Sequence, residues 1–254
     1  MIQVVPIPAF QDNYLWLIHD GSHAAVVDPG DAAPVQDYLT RHGLELAAIL
    51  VTHHHPDHIG GLAALTNKYP VPVFGPAGEN IPRLTERLKE GDQITLPQLG
   101  IGFKILDIPG HTAGHIAYLG DGRLFCGDTL FAGGCGRVFE GTMPQMRASL
   151  NKIKDLDGDT LVYCAHEYTL SNLRFARAVE PHNAQLAARQ AHDQATRAAS
   201  QPTVPSRIAL ERETNPFLRW DAPEVIAAAK ARSGLPAPSP DEVFASIREW
   251  KNSF

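Results

Sequence analysis

An α/β fold followed by a smaller helical domain is predicted by three features of the 254-residue sequence. Short apolar runs of strand length alternate with helical stretches over residues 1–167. Four of those runs end in histidine or aspartate, and ligand sites in α/β sheets gather at the carboxyl ends of strands. After His166 the composition shifts to alanine and arginine, and the remaining segments read as helices. These features divide the chain into an α/β domain, residues 1–167, which holds the candidate ligands, and a helical domain, residues 168–254.

Residues 2–7, 15–18 and 24–27 read as strands of a meander, because turn residues such as Asp12-Asn13 and Asp20-Gly21 separate them. Asp31 opens a helix with Pro34 in its first turn, and Gly43 stops it. Ala47-Ala48-Ile49-Leu50-Val51 is a buried strand leading into Thr52-His53-His54-His55-Pro56-Asp57-His58. A helix over 60–68 and a strand over 71–74 follow. The run at 105–108 leads through a glycine-punctuated turn to His111, the run at 124–126 through Gly127 to Asp128, and the run at 161–164 through Ala165 to His166. A helix from Thr142 carries Met146, Leu150 and Ile153 at helical spacing. Helices are also expected over 168–180, 183–199, 223–231 and 240–251, with 201–205 a connector. Ser239 and Glu242 have the spacing of a capping box, with Pro240 at the first helical position.

At this length the chain can bury a substantial core. The start, Met1-Ile2-Gln3-Val4-Val5-Pro6, lacks a basic region followed by an apolar signal core, and no run reaches membrane-spanning length. A cytoplasmic protein without membrane contact is therefore expected. Cys126, Cys135 and Cys164 are odd in number and widely spaced, which argues against a disulfide framework and fits a reducing compartment. The net charge of −6 is uneven: residues 1–167 hold 11 Lys/Arg and 19 Asp/Glu, and residues 168–254 hold 11 and 9. Bound cations would offset the acidic part, and the basic part could receive an anionic substrate. No dense Lys/Arg run with interleaved aromatics is present, so nucleic acid is not an expected partner, and neither is an obligate protein.

Imidazole and carboxylate groups are costly to bury unpaired, so their cluster after an apolar run reads as a metal site. In an extended segment alternate residues point the same way, so His53, His55 and Asp57 converge while His54 points elsewhere, and His58 adds a donor from the turn. With His111, Asp128 and His166, the candidates are five histidines and two aspartates. One catalytic zinc takes three protein ligands, so seven donors fit two ions better. One assignment gives His53, His55 and His111 to one ion and Asp57, His58 and His166 to the other, with Asp128 bridging. Two such ions about 3.5 to 4 Å apart can share a hydroxide, because a metal lowers the pKa of bound water from 15.7 to about 7. Asp57 and Asp128 are thereby the candidate catalytic carboxylates. Zinc is the first choice, with iron and manganese compatible. No Gly-x-Ser-x-Gly elbow, phosphate-binding loop, Gly-x-Gly-x-x-Gly or His-Glu-x-x-His helix is present. Hydrolysis of an activated carbonyl is the first expectation.

The pattern His-x-His-x-Asp-His, followed by single His, Asp and His ligands, resembles the metallo-β-lactamase superfamily. Longer strings narrow the resemblance: Asp12-Asn13-Tyr14, Val27-Asp28-Pro29-Gly30, Gly127-Asp128-Thr129-Leu130-Phe131, Gly134-Cys135-Gly136-Arg137, Phe139-Glu140-Gly141-Thr142, His166-Glu167-Tyr168-Thr169 and Asn215-Pro216-Phe217-Leu218-Arg219. Together they resemble the hydroxyacylglutathione hydrolase (glyoxalase II) family over essentially the whole chain. The resemblance implies an αββα sandwich with metals at one edge. It also implies hydrolysis of S-D-lactoylglutathione to glutathione and D-lactate, in methylglyoxal detoxification. Carried over by position, it makes Arg137, Tyr168 and Arg219 glutathione contacts. Where some members have a tyrosine this chain has Phe139, and where some have a lysine three positions after the arginine it has Ala222. Arg248 or Lys251 could then assist binding.

A sulfur dioxygenase or lactonase of the same superfamily is the alternative enzyme reading, and a metal-binding protein without catalysis is the alternative of another class. Metal counting separates the first, and intact thioesters in the presence of two bound metals would favour the second.

Overall fold

The alternation of apolar runs and turn residues folds as a meander. In the computed structural model, which describes residues 1–254, β1 (Gln3–Ala9) and β2 (Asn13–His19) form an antiparallel hairpin with Ile7 opposite Leu15. Strand β3 (His23–Val27) extends it antiparallel to β2. Helix α1 (Ala32–His42) then carries the chain to β4 (Glu45–Leu50), which lies parallel to β3. The Asp31 carboxylate accepts from the Ala33 amide at its start. Gly43 ends it at φ 63°, a left-handed conformation that glycine adopts without a Cβ penalty. Five of the six residues of β4 are buried, as a strand covered on both faces requires. The sheet order is β1-β2-β3-β4-β5-β6, with β5 at Val73–Pro76 and β6 at Glu86–Leu88.

The chain divides into two compact units, residues 1–107 with 112–127, and residues 108–111 with 128–254. In the first, Leu15, Leu17, Val26, Ile49 and Val51 from the sheet pack with Val35 and Leu39 of α1 and Leu62 and Leu65 of a helix whose place is given below. This unit also holds an antiparallel set, β7 (Gln93–Leu96), β8 (Ile101–Asp107), β9 (Ile116–Gly120) and β10 (Arg123–Gly127). The buried Tyr118 hydroxyl of β9 lies 2.9 Å from the Val51 carbonyl and 3.1 Å from that of Phe74, tying this set to the first sheet. The helix expected over 60–68 is α3 (Leu62–Lys68), and a separate single turn, α2 (Pro56–Ile59), precedes it. Pro56 at the first helical position of α2 starts that turn before the second pair of candidate ligands.

In the second unit a short hairpin, β11 (Leu130–Phe131) and β12 (Gly134–Cys135), precedes α4 (Met143–Lys154). Strand β13 (Leu161–Cys164) pairs antiparallel with β14 (Ser206–Arg207). Helices α5 (Thr169–Val179), α6 (Ala184–Ala198), α7 (Ile208–Thr214), α8 (Pro223–Ser233) and α9 (Pro240–Asn252) fill the rest. The Ser239–Glu242 capping box at the start of α9 forms as the sequence predicts. Helix α7 was not predicted. Its Glu211 is fully buried, bound by Arg189 of α6 at 2.6 Å, and a second oxygen accepts from the Gly133 amide at 2.9 Å and from the Asn215 side chain. No helix is long and apolar enough to cross a membrane.

Candidate metal centre

The histidine loop leaves the end of β4 and is shaped by one buried carboxylate. Asp28, held at φ 51° where β3 ends, accepts from the Thr52 amide and the Thr52 hydroxyl, both at 2.7 Å. That hydroxyl has given its proton to Asp28, so it accepts from His53 Nδ1 at 3.1 Å. His58 Nδ1 lies 3.1 Å from Asp28 Oδ2. Asp28 therefore orients two imidazoles and leaves the Nε2 of each for a ligand. The string Val27-Asp28-Pro29-Gly30 carries the family resemblance, but nothing in the sequence marks Asp28 as a partner of the ligands. A Cβ on Gly30 would meet the Asp57 carbonyl at 1.8 Å, so only glycine lets these backbones approach.

Within the loop His53 Nε2 and His55 Nδ1 are 3.2 Å apart, and His58 Nε2 and Asp57 Oδ2 are 3.5 Å apart. His54 turns away, its Nδ1 donating to the Glu79 carboxylate at 2.9 Å, as alternation requires. The extended segment ends at His55. Asp57 is presented by the helical turn α2, a difference from its expected place on the extended segment, and His58, expected from a turn, comes from the same one. Asn13 Nδ2 donates to Asp57 Oδ2 at 3.0 Å. His115 stacks on His53, with ring centroids 4.5 Å apart, while its Nδ1 donates to the Ile116 carbonyl.

The second unit presents its donors from three chain segments. Gly110 at φ 149° turns the chain to His111, and a Cβ there would meet Met146 at 2.7 Å. His111 Nδ1 donates to the Arg137 carbonyl at 2.8 Å, which fixes its tautomer and leaves Nε2 as ligand atom. Asp128 Oδ2 lies 3.5 Å from His111 Nε2 and 3.4 Å from His166 Nε2. The His166 ring lies parallel to Tyr168 at 4.7 Å, and Phe131 meets both edge-on.

These donor separations test the fit to a metal. Most exceed the 2.7 to 3.2 Å usual for a hydrogen bond involving nitrogen. Two ligand atoms at about 2.0 to 2.2 Å from one tetrahedral ion stand roughly 3.3 to 3.5 Å apart. Imidazole nitrogens and carboxylate oxygens with the opposite ring nitrogens already committed are the donors that zinc and similar ions take. The residues fit the group.

The substrate residues are less uniform. Arg137 and Tyr168 are exposed, and the exposed Phe139 ring packs against His111 at 5.3 Å. Arg219 is committed elsewhere: Nε and Nη2 grip the buried Glu180 carboxylate at 2.9 to 3.0 Å, and Nη1 donates to the Arg212 carbonyl at 3.1 Å. With Ala222 it lines a cleft of about 450 Å³ whose other walls include Glu180, Glu213 and Glu224, surroundings that repel an anion. A different set of cations gathers on α5 and α9. Lys251 has its pKa pushed down first by burial and then by the charges of Arg248, Arg174 and Arg137. Arg248 is 3% exposed, donates to the Cys135 carbonyl at 2.7 Å and lies over the Phe217 ring. Arg174 was missed in the sequence, where nothing distinguishes it from any other exposed arginine of a helix.

Residues 10–166 match the metallo-β-lactamase superfamily model, and residues 167–254 match the model for the hydroxyacylglutathione hydrolase C-terminus. The chain is 57% identical to the hydroxyacylglutathione hydrolase of Cupriavidus taiwanensis, with all of both chains covered. It is 52% identical to that of Nitrosomonas europaea, over 100% of this chain and 97% of the other. Among solved structures, ETHE1 from Myxococcus xanthus has a TM-score of 0.66 at 24% identity, over 100% of this chain and 99% of that one, a likeness of fold. The α/β class and the metallo-β-lactamase sandwich expected from the sequence are the fold of this chain. With its clusters of histidine and aspartate, that fold points to a binuclear metal site. Along its whole length, the chain belongs to the hydroxyacylglutathione hydrolase family of the metallo-β-lactamase superfamily.

Proposed function

We propose that the chain hydrolyses 2-hydroxyacyl thioesters of glutathione, S-D-lactoylglutathione foremost, releasing glutathione and D-lactate in methylglyoxal detoxification. The observation that carries this reading is the unbroken likeness to hydroxyacylglutathione hydrolases, which includes the C-terminal helical region. Residues 1–167 act as the catalytic domain and residues 168–254 as the substrate-binding one.

His53, His55 and His111 would hold one divalent ion and Asp57, His58 and His166 the other, with Asp128 available to both. Both triads are among the groups of donors close enough together to hold an ion, as is the set His53, His58 and Asp128, which fits an Asp128 placed near both. Zinc suits the imidazole and carboxylate donors, and iron or manganese compete by availability. Such ions, when bound, supply an acidified water and a Lewis acid for the thioester carbonyl. The chain's own residues do the rest. Asp28, acting through Thr52, and the Arg137 carbonyl keep His53 and His111 in the ligating tautomer. Asp57 and Asp128 contribute the negative charge that balances the cations. No strong general acid is needed, because a thiolate, with a conjugate-acid pKa near 8.5, leaves without one. Tyr168 offers its ring face and hydroxyl to the glutathione moiety. Arg137, Arg174 and Lys251 receive its carboxylates, with the charge of the buried Arg248 behind them, whereas the charge of Arg219, the contact implied by the resemblance, is neutralised by Glu180. Cys126, Cys135 and Cys164 are buried thiols rather than a disulfide framework, which supports a reducing cytoplasm.

The test is elemental analysis of the purified protein beside a thioester-hydrolysis assay. Two divalent ions per chain and cleavage that is lost on chelation and restored by metal are expected. Two ions with the thioester intact would replace this reading with a non-catalytic one.

A further inference from the structure

Resting on that metal assignment, we propose that Glu79 is a positioning residue that locks the ligands of one ion, the ion of His53, His55 and His111, and leaves the other ion alone. Glu79 lies in the turn after β5, and its side chain is 3% exposed. One oxygen accepts from His54 Nδ1 at 2.9 Å. The other accepts from the Thr112 hydroxyl and from the Gly114 amide at 3.2 Å. The carboxylate thus spends both oxygens on two ligand-bearing segments.

The placement of its partners gives the inference its selectivity. His54 sits between His53 and His55, so fixing its ring fixes the backbone from which both flanking imidazoles project. Thr112 directly follows His111, so fixing its hydroxyl fixes the third. Neither arm touches Asp57, His58 or His166, whose orientation comes from Asn13 and Asp28 or from contacts in the second unit. The turn is held from behind, because Arg87 donates to the Glu79 carbonyl at 3.1 Å. A Cβ on Gly114 would meet Glu79 Cγ at 2.5 Å, so the two segments close on the carboxylate without slack. An outer partner of this kind changes metal affinity by roughly 10- to 100-fold when removed.

The experiment is metal titration against a competing chelator, with kcat and KM measured at saturating metal, on the purified full-length chain and its variants. Glu79→Ala is expected to weaken one of the two ions by 10- to 100-fold, keep the other within about twofold, lower kcat and leave KM unchanged. Glu79→Gln can still accept from Thr112 and Gly114 and can donate to the other tautomer of His54, so it should recover most of that affinity. His54→Ala and Thr112→Val each remove one arm and decide the matter should Glu79→Ala fail to fold; each is expected to weaken the same single ion. Equal weakening of both ions, no weakening of either, or a glutamine variant as weak as the alanine one would overturn the proposal. A wild-type chain binding fewer than two ions would instead overturn the two-ion reading beneath it.

Discussion

Asp28, Glu79 and Asp128 are all buried carboxylates, yet only Asp128 was readable as a site residue from the sequence. A direct ligand must be of a certain type at a certain strand end, and that constraint leaves a pattern such as His-x-His-x-Asp-His. A carboxylate that acts by orienting a ligand can come from any segment that packs nearby: Asp28 is 24 residues from Thr52 and Glu79 is 25 from His54. Charge recognition depends on the same kind of distant packing, since what frees or occupies an arginine such as Arg219 is a neighbour such as Glu180. Asp128→Ala should lose bound metal and turnover together; full metal content by elemental analysis would remove it from the centre. Lys251→Gln should raise KM roughly tenfold or more with kcat little changed, the loss of a charge-assisted contact made equally before and during reaction. Arg219→Ala should leave KM alone and lower the melting temperature, because it strands the buried Glu180. Steady-state kinetics on the two variants separates these outcomes.

At the scale of elements, legibility followed length and the character of the inner face. Helices α1, α4, α6 and α9 were found within a few residues, since their caps and periodic apolar positions are local. Strands β11, β12 and β14 have two residues each, too few to show any period. Helix α7 was hidden by Glu211, whose charge at full burial breaks the apolar stripe that marks a packed helix. Its meaning depends on Arg189, 22 residues away. Helix α9 makes the opposite case, and Ser239→Ala should cost about 1 kcal/mol by removing its capping oxygen. Chemical denaturation reads this loss. KM should not follow, because Val243, Phe244 and Ile247 keep α9 seated.

For the molecule as a whole, acid stability has an identifiable contributor away from the metals. His19 is buried in β2, and both its ring nitrogens lack hydrogen-bond partners. Burial, then the charge of His42, lowers its pKa, with Asp20 opposing. Its folded pKa therefore lies below the unfolded value of about 6.5, and the unfolded chain takes up the proton first. Above that pH the ionisation of His19 takes nothing from stability; as pH falls through and below it, stability is lost until the lowered folded value is passed. His19→Phe should flatten the fall in melting temperature between roughly pH 7 and pH 5, and an unchanged slope would assign that fall to other groups. The location of the recognition charges has a consequence of another kind. All seven candidate ligands precede residue 167, whereas Arg248 and Lys251 lie on α9. A ribosome releases the chain from its N-terminus, so the proposed metal ligands emerge first and the proposed glutathione contacts arrive late. A growing chain could take up metal well before it could tell one thioester from another.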